Sequence, residues 1–154
     1  MYKFLPMTDE TAKEIAYHWN YEGEYSFYNM TEDQEDLEEF LHPARSGYYT
    51  VEKNGEIIGY YCFQNSESGS VEIGLGMKPT LTGKGRGLEF VLEGMKFAFA
   101  NYQPRKLSLS VATFNKRAIG VYEKAGFSPV KTFMQDTNGS TYEFLKMEYE
   151  SEGE

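Results

Sequence analysis

Residues 81–88 read Leu-Thr-Gly-Lys-Gly-Arg-Gly-Leu and place glycines at alternate positions 83, 85 and 87, directly before a segment of helical spacing. Backbone N–H groups uncovered at a helix start converge on one point, and the helix dipole adds a positive field there, so this stretch suits an anion. Lys78, Lys84 and Arg86 put three positive charges into residues 78–87 with no acid among them, which favours a phosphate-bearing ligand. Two other phosphate loops are excluded: the glycine spacing is not GxGxxG, and no GxxxxGK is followed by Ser or Thr. The plain alternative is a crossover turn in which the glycines serve only the reversal of the chain. Elsewhere, chemistry-bearing residues are sparse. The single cysteine, Cys62, has no accompanying His or Asn motif and reads as a small core residue. His18 and His42 lie far apart without metal-ligand spacing, so no metal site is expected.

The elements that must position the loop follow from periodicity. Residues 2–7 form a strand candidate, and Thr8 offers a hydroxyl cap to a helix carrying Ala12, Ile15, Ala16 and Trp19 at helical spacing. Residues 21–30 have no clean period, and Thr31 caps an acidic helix running to about His42, before Pro43. Residues 48–53 and 56–64 are strands joined at Asn54-Gly55, and residues 69–77 alternate Val71, Ile73, Leu75 and Met77 with Glu72, Gly74 and Gly76. The bare second face of that strand suggests close approach to its backbone. A helix at 88–100, with Leu88, Val91, Leu92, Met95 and Phe99 in register, leads to a strand at 106–112. Asn115 caps a helix that stops at Gly126, and strands at 127–136 and 140–149 meet at Asn138-Gly139. The order β, α, α, β, β, β, α, β, α, β, β implies a mixed, mostly antiparallel sheet flanked by helices, with each helical crossover joining parallel strands.

At 154 residues the chain suits a single domain over residues 1–149 with a frayed acidic tail at 150–154. Its 40% hydrophobic and 16% aromatic content supports a core, and a net charge of −9 disfavours nucleic acid as a partner. One cysteine permits no internal disulfide, and no basic leader or membrane-length apolar run is present, so a cytoplasmic protein without membrane contact is expected.

The segment TGKGRG, followed about 30 residues later by Asn115-Lys116-Arg117-Ala118 and Val121-Tyr122-Glu123-Lys124-Ala125-Gly126-Phe127, resembles the two signatures of the GNAT superfamily of N-acetyltransferases. The resemblance covers nearly the whole chain in order. Gly85 and Gly87 match the glycines of the family's QxxGxG pyrophosphate loop, while Thr82 stands where Gln or Arg is usual. The resemblance implies acetyl-CoA as acyl donor, without a metal. Thr82, Gly83, Lys84, Gly85, Arg86, Gly87 and Leu88 would hold its pyrophosphate. The strand bearing Leu75 and Met77 would splay from strand 107–112 to meet the pantetheine arm, and Asn115 would add a contact to its capping role. Tyr122 would act as general acid toward the leaving thiolate, against the alternative of core packing. Glu72 is the first candidate base, or else an ordinary solvent-facing glutamate, and Glu22 and Glu24 are the further candidates.

In the same resemblance the aromatic cluster Trp19, Tyr21, Tyr25, Phe27 and Tyr28 matches the segment that lines the acceptor site. Trp19, Tyr25 and Tyr28 could cradle an ammonium by cation–π contact, with Glu22 and Glu24 as carboxylate partners, or could simply close the core. Residues 1–56 hold 13 acids against 4 bases, a field that would draw in a cationic amine. The implied function is acetyl transfer to a primary amine, on a small molecule or a protein N-terminus, by a monomer or homodimer. Similarity to the branch that modifies ribosomal-protein N-termini is general, in fold order and in the NxxAxxxYxxxGF pattern. A non-catalytic acyl-CoA sensor on the same fold is the alternative, and a structural protein with a glycine turn is a weaker one.

Overall fold

The computed structural model describes residues 2–21, 29, 34–42, 46–66, 69–81 and 85–150. Along the chain run β1 (Tyr2–Pro6), α1 (Asp9–His18), α2 (Gln34–Leu41), β2 (Tyr48–Lys53), β3 (Glu56–Asn65), β4 (Ser70–Met77), a 3-10 turn (Pro79–Leu81), α3 (Gly87–Asn101), β5 (Lys106–Ala112), α4 (Lys116–Ala125), β6 (Ser128–Thr137) and β7 (Ser140–Glu150). The order of strands and α-helices is the one expected from periodicity. Short polar signals set its boundaries. Thr8 Oγ1 accepts from Thr11 N–H at 3.1 Å to open α1, and Asn115 and a left-handed Gly126 (φ 109°) bracket α4. Both Asn-Gly turns have positive φ at each residue, 56° and 82° at 54–55 and 53° and 79° at 138–139, the twist that a two-residue hairpin needs. The cap expected of Thr31 lies outside the described residues, as do residues 151–154 of the tail.

The seven strands form one sheet in the order β1-β2-β3-β4-β5-β7-β6, antiparallel throughout except for β4 against β5. One expectation about connections is corrected. Between β1 and β2 the chain passes through both α1 and α2, yet these strands pair antiparallel. A single crossover helix returns the chain to its starting edge, whereas two successive helices reverse it twice and deliver the next strand pointing the other way.

Side-chain alternation sends successive residues of the central strands to opposite faces. Val51, Tyr61, Phe63, Val71, Ile73, Leu107 and Leu109 pack with Phe90, Val91, Met95 and Ala98 of α3 on one face. On the other, Tyr48, Ile57 and Tyr60 pack against Met7, Ala12, Ile15, Ala16, Trp19 and Phe40 beneath α1 and α2. The buried stripe of α3 is Phe90, Val91, Gly94, Met95 and Ala98, and Leu92, expected in it, is 45% exposed.

Gly94 explains that shift. Tyr61, 1% exposed, lays its ring across Gly94 and donates its hydroxyl to the Phe90 carbonyl at 2.8 Å. A Cβ at position 94 would overlap the Tyr61 ring, so the only face of α3 that can sit on β3 is the one bearing this glycine. Burial raises the Tyr61 phenol well above its ordinary pKa, which keeps it a donor. The Gly94→Ala variant is therefore expected to lose about 1–3 kcal/mol of stability through overpacking. Tyr61→Phe, which removes only the hydroxyl, is expected to lose about 1 kcal/mol. Denaturant unfolding of both variants checks the ranking.

Candidate active site

Parallel pairing between β4 and β5 covers Ser70↔Lys106, Val71↔Leu107 and Glu72↔Ser108, and then stops. Each strand stays bonded to its outer neighbour beyond that point, β4 to β3 as far as Met77↔Gly59 and β5 to β7 as far as Ala112↔Phe144. The sheet thus divides into two sound halves with a slot between them. Which main-chain groups face the slot follows from the antiparallel alternation. Lys78 N–H donates to Ile58 O at 2.8 Å, so residues 78, 76 and 74 turn toward β3 in this register. The main-chain groups of Leu75 and Met77 turn the opposite way, across the opening. Tyr21 caps one of them, its hydroxyl donating to the Met77 carbonyl at 2.7 Å. Burial raises the Tyr21 phenol above its ordinary pKa.

The slot widens into a cleft of about 670 Å³, a volume suited to a small-molecule ligand. It is lined from both faces of the sheet: Tyr21 and Tyr60 from the side of α1 and α2, and Leu88, Phe90 and Val91 from α3 on the other. Arg117 and Lys124 also line it, and among the described lining residues there is no Asp or Glu. At one end lies the start of α3. Its N-cap residue, Arg86, makes no side-chain capping bond, so the first N–H groups of the helix are left to face an anion. Gly85, with φ 75°, sits in the left-handed region that glycine adopts without strain. Gly87 brings α3 onto α4, where a Cβ at 87 would lie 3.5 Å from Val121 Cγ2.

Of the residues singled out from sequence, Leu75, Met77, Gly85, Gly87, Leu88, Asn115 and Tyr122 all line the cleft. Asn115 Oδ1 accepts from Ala118 N–H at 3.2 Å, so its cap is in place. Tyr122 is half-buried, with its ring edge-on to Phe127 at 6.1 Å between centroids. Arg86 is exposed and is not a lining residue. Glu72 stands at the last paired rung, exposed on the face of Gly74 and Gly76, and is not a lining residue either. Trp19 is 4% exposed in the second core, and its Nε1 has no hydrogen-bond partner among the described residues. Thr82, Gly83, Lys84, Glu22, Glu24, Tyr25 and Tyr28 lie outside the described residues.

The bareness of β4 has a second explanation at Gly76, where a Cβ would come within 2.5 Å of Tyr60 Cε1. The glycine there makes room for an aromatic wall of the cleft, while Gly74 meets only the Cys62 Cβ, at 3.6 Å. Sequence reasoning did not single out Tyr60, Arg117 or Lys124, and it left Tyr21 undistinguished within the aromatic cluster. The two cations carried a signal, since both sit on the helix that Asn115 caps. Cys62 is buried, and Gln64 Nε2 lies 3.1 Å from its Sγ. Burial pushes its thiol up, against opposing hydrogen bonds from Gln64 and Tyr48, so it is a poor nucleophile. Among the described residues there is no cluster of three His, Cys, Asp or Glu able to hold a metal, and no helix long and apolar enough to cross a membrane.

Residues 14–127 match the family model described as acetyltransferase (GNAT) family. The chain is 31% identical over 102 residues to mycothiol acetyltransferase of Streptomyces avermitilis, covering 65% of this chain and 32% of that protein. It is 35% identical over 81 residues to acetyltransferase PseH of Campylobacter jejuni, covering 53% of this chain and 50% of that protein. The chain thus spans half or less of the curated relatives it matches. Among solved structures, a GNAT-family acetyltransferase from Bacillus anthracis superposes with a TM-score of 0.75 at 13% identity, covering 97% of this chain and 94% of that one. A spermidine N-acetyltransferase SpeG chimera of Vibrio cholerae and hSSAT gives 0.72 at 19% identity, covering 97% and 95%. At such identities the likeness is one of fold.

Asn115 can be separated into its two expected roles. Asn115→Ala is expected to cost about 1 kcal/mol of stability through loss of the cap, whereas Asn115→Asp, an equally good capping acceptor, retains it. Chemical denaturation of both variants checks this.

Proposed function

The chain belongs to the acetyltransferase (GNAT) family, and from that premise we propose that it moves acetyl from acetyl-CoA to a primary amine by direct attack in a ternary complex. One observation carries the reading: the slot between β4 and β5 opens to both faces of the sheet, with a bare helix start at one end. A donor entering from the side of α3 and α4 and an acceptor approaching from the side of α1 and α2 meet within it. The N–H groups at residues 85–88 take the donor's pyrophosphate, together with Thr82, Gly83 and Lys84 of the same loop and the Arg86 charge beside it. Leu75 and Met77 offer main-chain groups to the amide-bearing arm, with the Met77 carbonyl shared with Tyr21. Asn115 adds a polar contact.

Tyr122 donates a proton to the leaving thiolate, a role suited to a half-buried phenol on the cleft wall. The attacking amine must first lose its own proton. Glu72, at the closed end of the slot but outside its lining, receives that proton through water. The acceptor side is formed by Tyr21 and Tyr60, with Glu22, Glu24, Tyr25 and Tyr28 of the adjoining segment, while Trp19 supports Tyr60 from the core, its ring 6.3 Å away. The relatives' names point to amines on small molecules, and a protein N-terminus is the other acceptor class. The catalytic unit in this reading is residues 1–149. The position of Glu72 outside the lining favours one rival, a non-catalytic acyl-CoA-binding module.

Acetyl-CoA at a hundredfold excess over its Kd is expected to stabilise the protein by about 2.7 kcal/mol, read as a raised unfolding temperature. No shift at millimolar acetyl-CoA overturns both readings. Thiol release with an amine panel then separates enzyme from binding module. In the enzyme, Tyr122→Phe is expected to lower kcat by about 100-fold or more with donor affinity kept. Unchanged turnover in that variant removes Tyr122 from the mechanism.

A further inference from the structure

Resting on the reading of the α1 and α2 side of the slot as the acceptor side, we propose that Tyr21 and Asn29 are a pair of positioning residues that fix one wall of the acceptor site against the main chain of β4. Two hydrogen bonds make the pair. Asn29 Oδ1 accepts from the Tyr21 backbone N–H at 2.7 Å, and the Tyr21 hydroxyl donates to the Met77 carbonyl at 2.7 Å. That carbonyl is itself a fixed point. The N–H of the same peptide plane, that of Lys78, donates to Ile58 O on β3 at 2.8 Å, so the planar unit is tied to the sheet on one side and to Tyr21 on the other. Two residues before Tyr21, Trp19 closes α1 with its N–H on Ile15 O and is 4% exposed in the second core. Tyr21 is therefore held at its backbone, at its hydroxyl and through a buried neighbour, and it lines the cleft.

This seating decides what Tyr21 contributes. A phenol whose proton lies on a main-chain carbonyl, and whose pKa burial raises, moves no proton during the reaction. What it offers a substrate is a ring face, and ring faces attract ammonium groups. The cations among the described lining residues, Arg117 and Lys124, stand on α4, so a cationic amine is repelled from that wall toward Tyr21 and Tyr60. A ring-face contact is the same in the bound substrate and in the transition state, so its loss raises the acceptor's KM and leaves kcat in place. Without either hydrogen bond the ring keeps its chemistry and loses its seat, and each arriving substrate must order it again.

Steady-state thiol release from acetyl-CoA tests the pair, with an amine panel of propylamine, benzylamine, glucosamine and glycinamide and the fastest of these taken forward. Tyr21→Phe is expected to raise that amine's KM about tenfold, with kcat and the Kd of acetyl-CoA each within about twofold of wild type. Asn29→Ala is expected to raise KM in the same sense, and Asn29→Asp, which keeps the accepting oxygen, to leave it no higher than wild type. Tyr21→Phe combined with Asn29→Ala is expected to lose less than the product of the two single effects, because both act through one ring. An unchanged KM in either single variant overturns the pair, whatever the unfolding temperature of that variant. So does a loss that falls on kcat or on donor affinity, or two effects that multiply in the double variant. Donor binding without thiol release from any amine of the panel overturns the pair together with the enzyme reading.

Discussion

Three rungs of parallel pairing hold the two halves of this sheet together, and nearly every feature of the site depends on the pairing ending there. A parallel strand pair that continued would satisfy every backbone group and leave no opening. Here each strand is committed along its length to an antiparallel neighbour, and the twist accumulated by each half carries the open ends apart. The cost is that the main-chain groups of Leu75 and Met77 lose their sheet partners. Tyr21 recovers part of it at the Met77 carbonyl, and a ligand with amide groups can recover more, because unpaired backbone amides away from bulk water are costly.

The same division gives the cleft a charge character unlike that of the acidic chain as a whole. Asp9, Glu10 and Glu14 of α1 and Glu38 and Glu39 of α2 belong to helices on one side of the sheet, while α3 and α4 bring the helix start, Arg117 and Lys124 to the other side of the slot. Two opposed electrostatic environments a sheet's thickness apart suit a reaction between an anionic donor and a cationic acceptor.

Much of this was legible in the chain because it rests on local chemistry. Asn-Gly pairs tolerate positive φ whatever surrounds them, and Thr8 and Asn115 cap helices through bonds within three residues. What escaped depends on contacts distant in sequence. The helical spacing of α3 gave two overlapping apolar stripes, and only the Tyr61 ring seated over Gly94 decides that Leu92 faces water. Nothing in the aromatic segment distinguishes Tyr21, whose phenol reaches 56 residues along the chain, from Trp19, which is swallowed by the second core. Gly76 looked like space reserved for a ligand, whereas Tyr60 from the neighbouring strand uses that space. Arg117 and Lys124 lie within the second motif, but it is the packing of α4 beside the slot that makes them part of the cleft wall.

The seat of Tyr61 on α3 also bears on any ligand that meets the start of this helix. With the phenol bonded to the Phe90 carbonyl, one turn inside the helix, the first N–H groups of α3 are anchored to the sheet by the fold itself. The conformational entropy of ordering that helix start is lost once, when the chain folds, and is not charged again to each arriving ligand. The start of α3 is thus held from beneath by a residue that does not line the cleft.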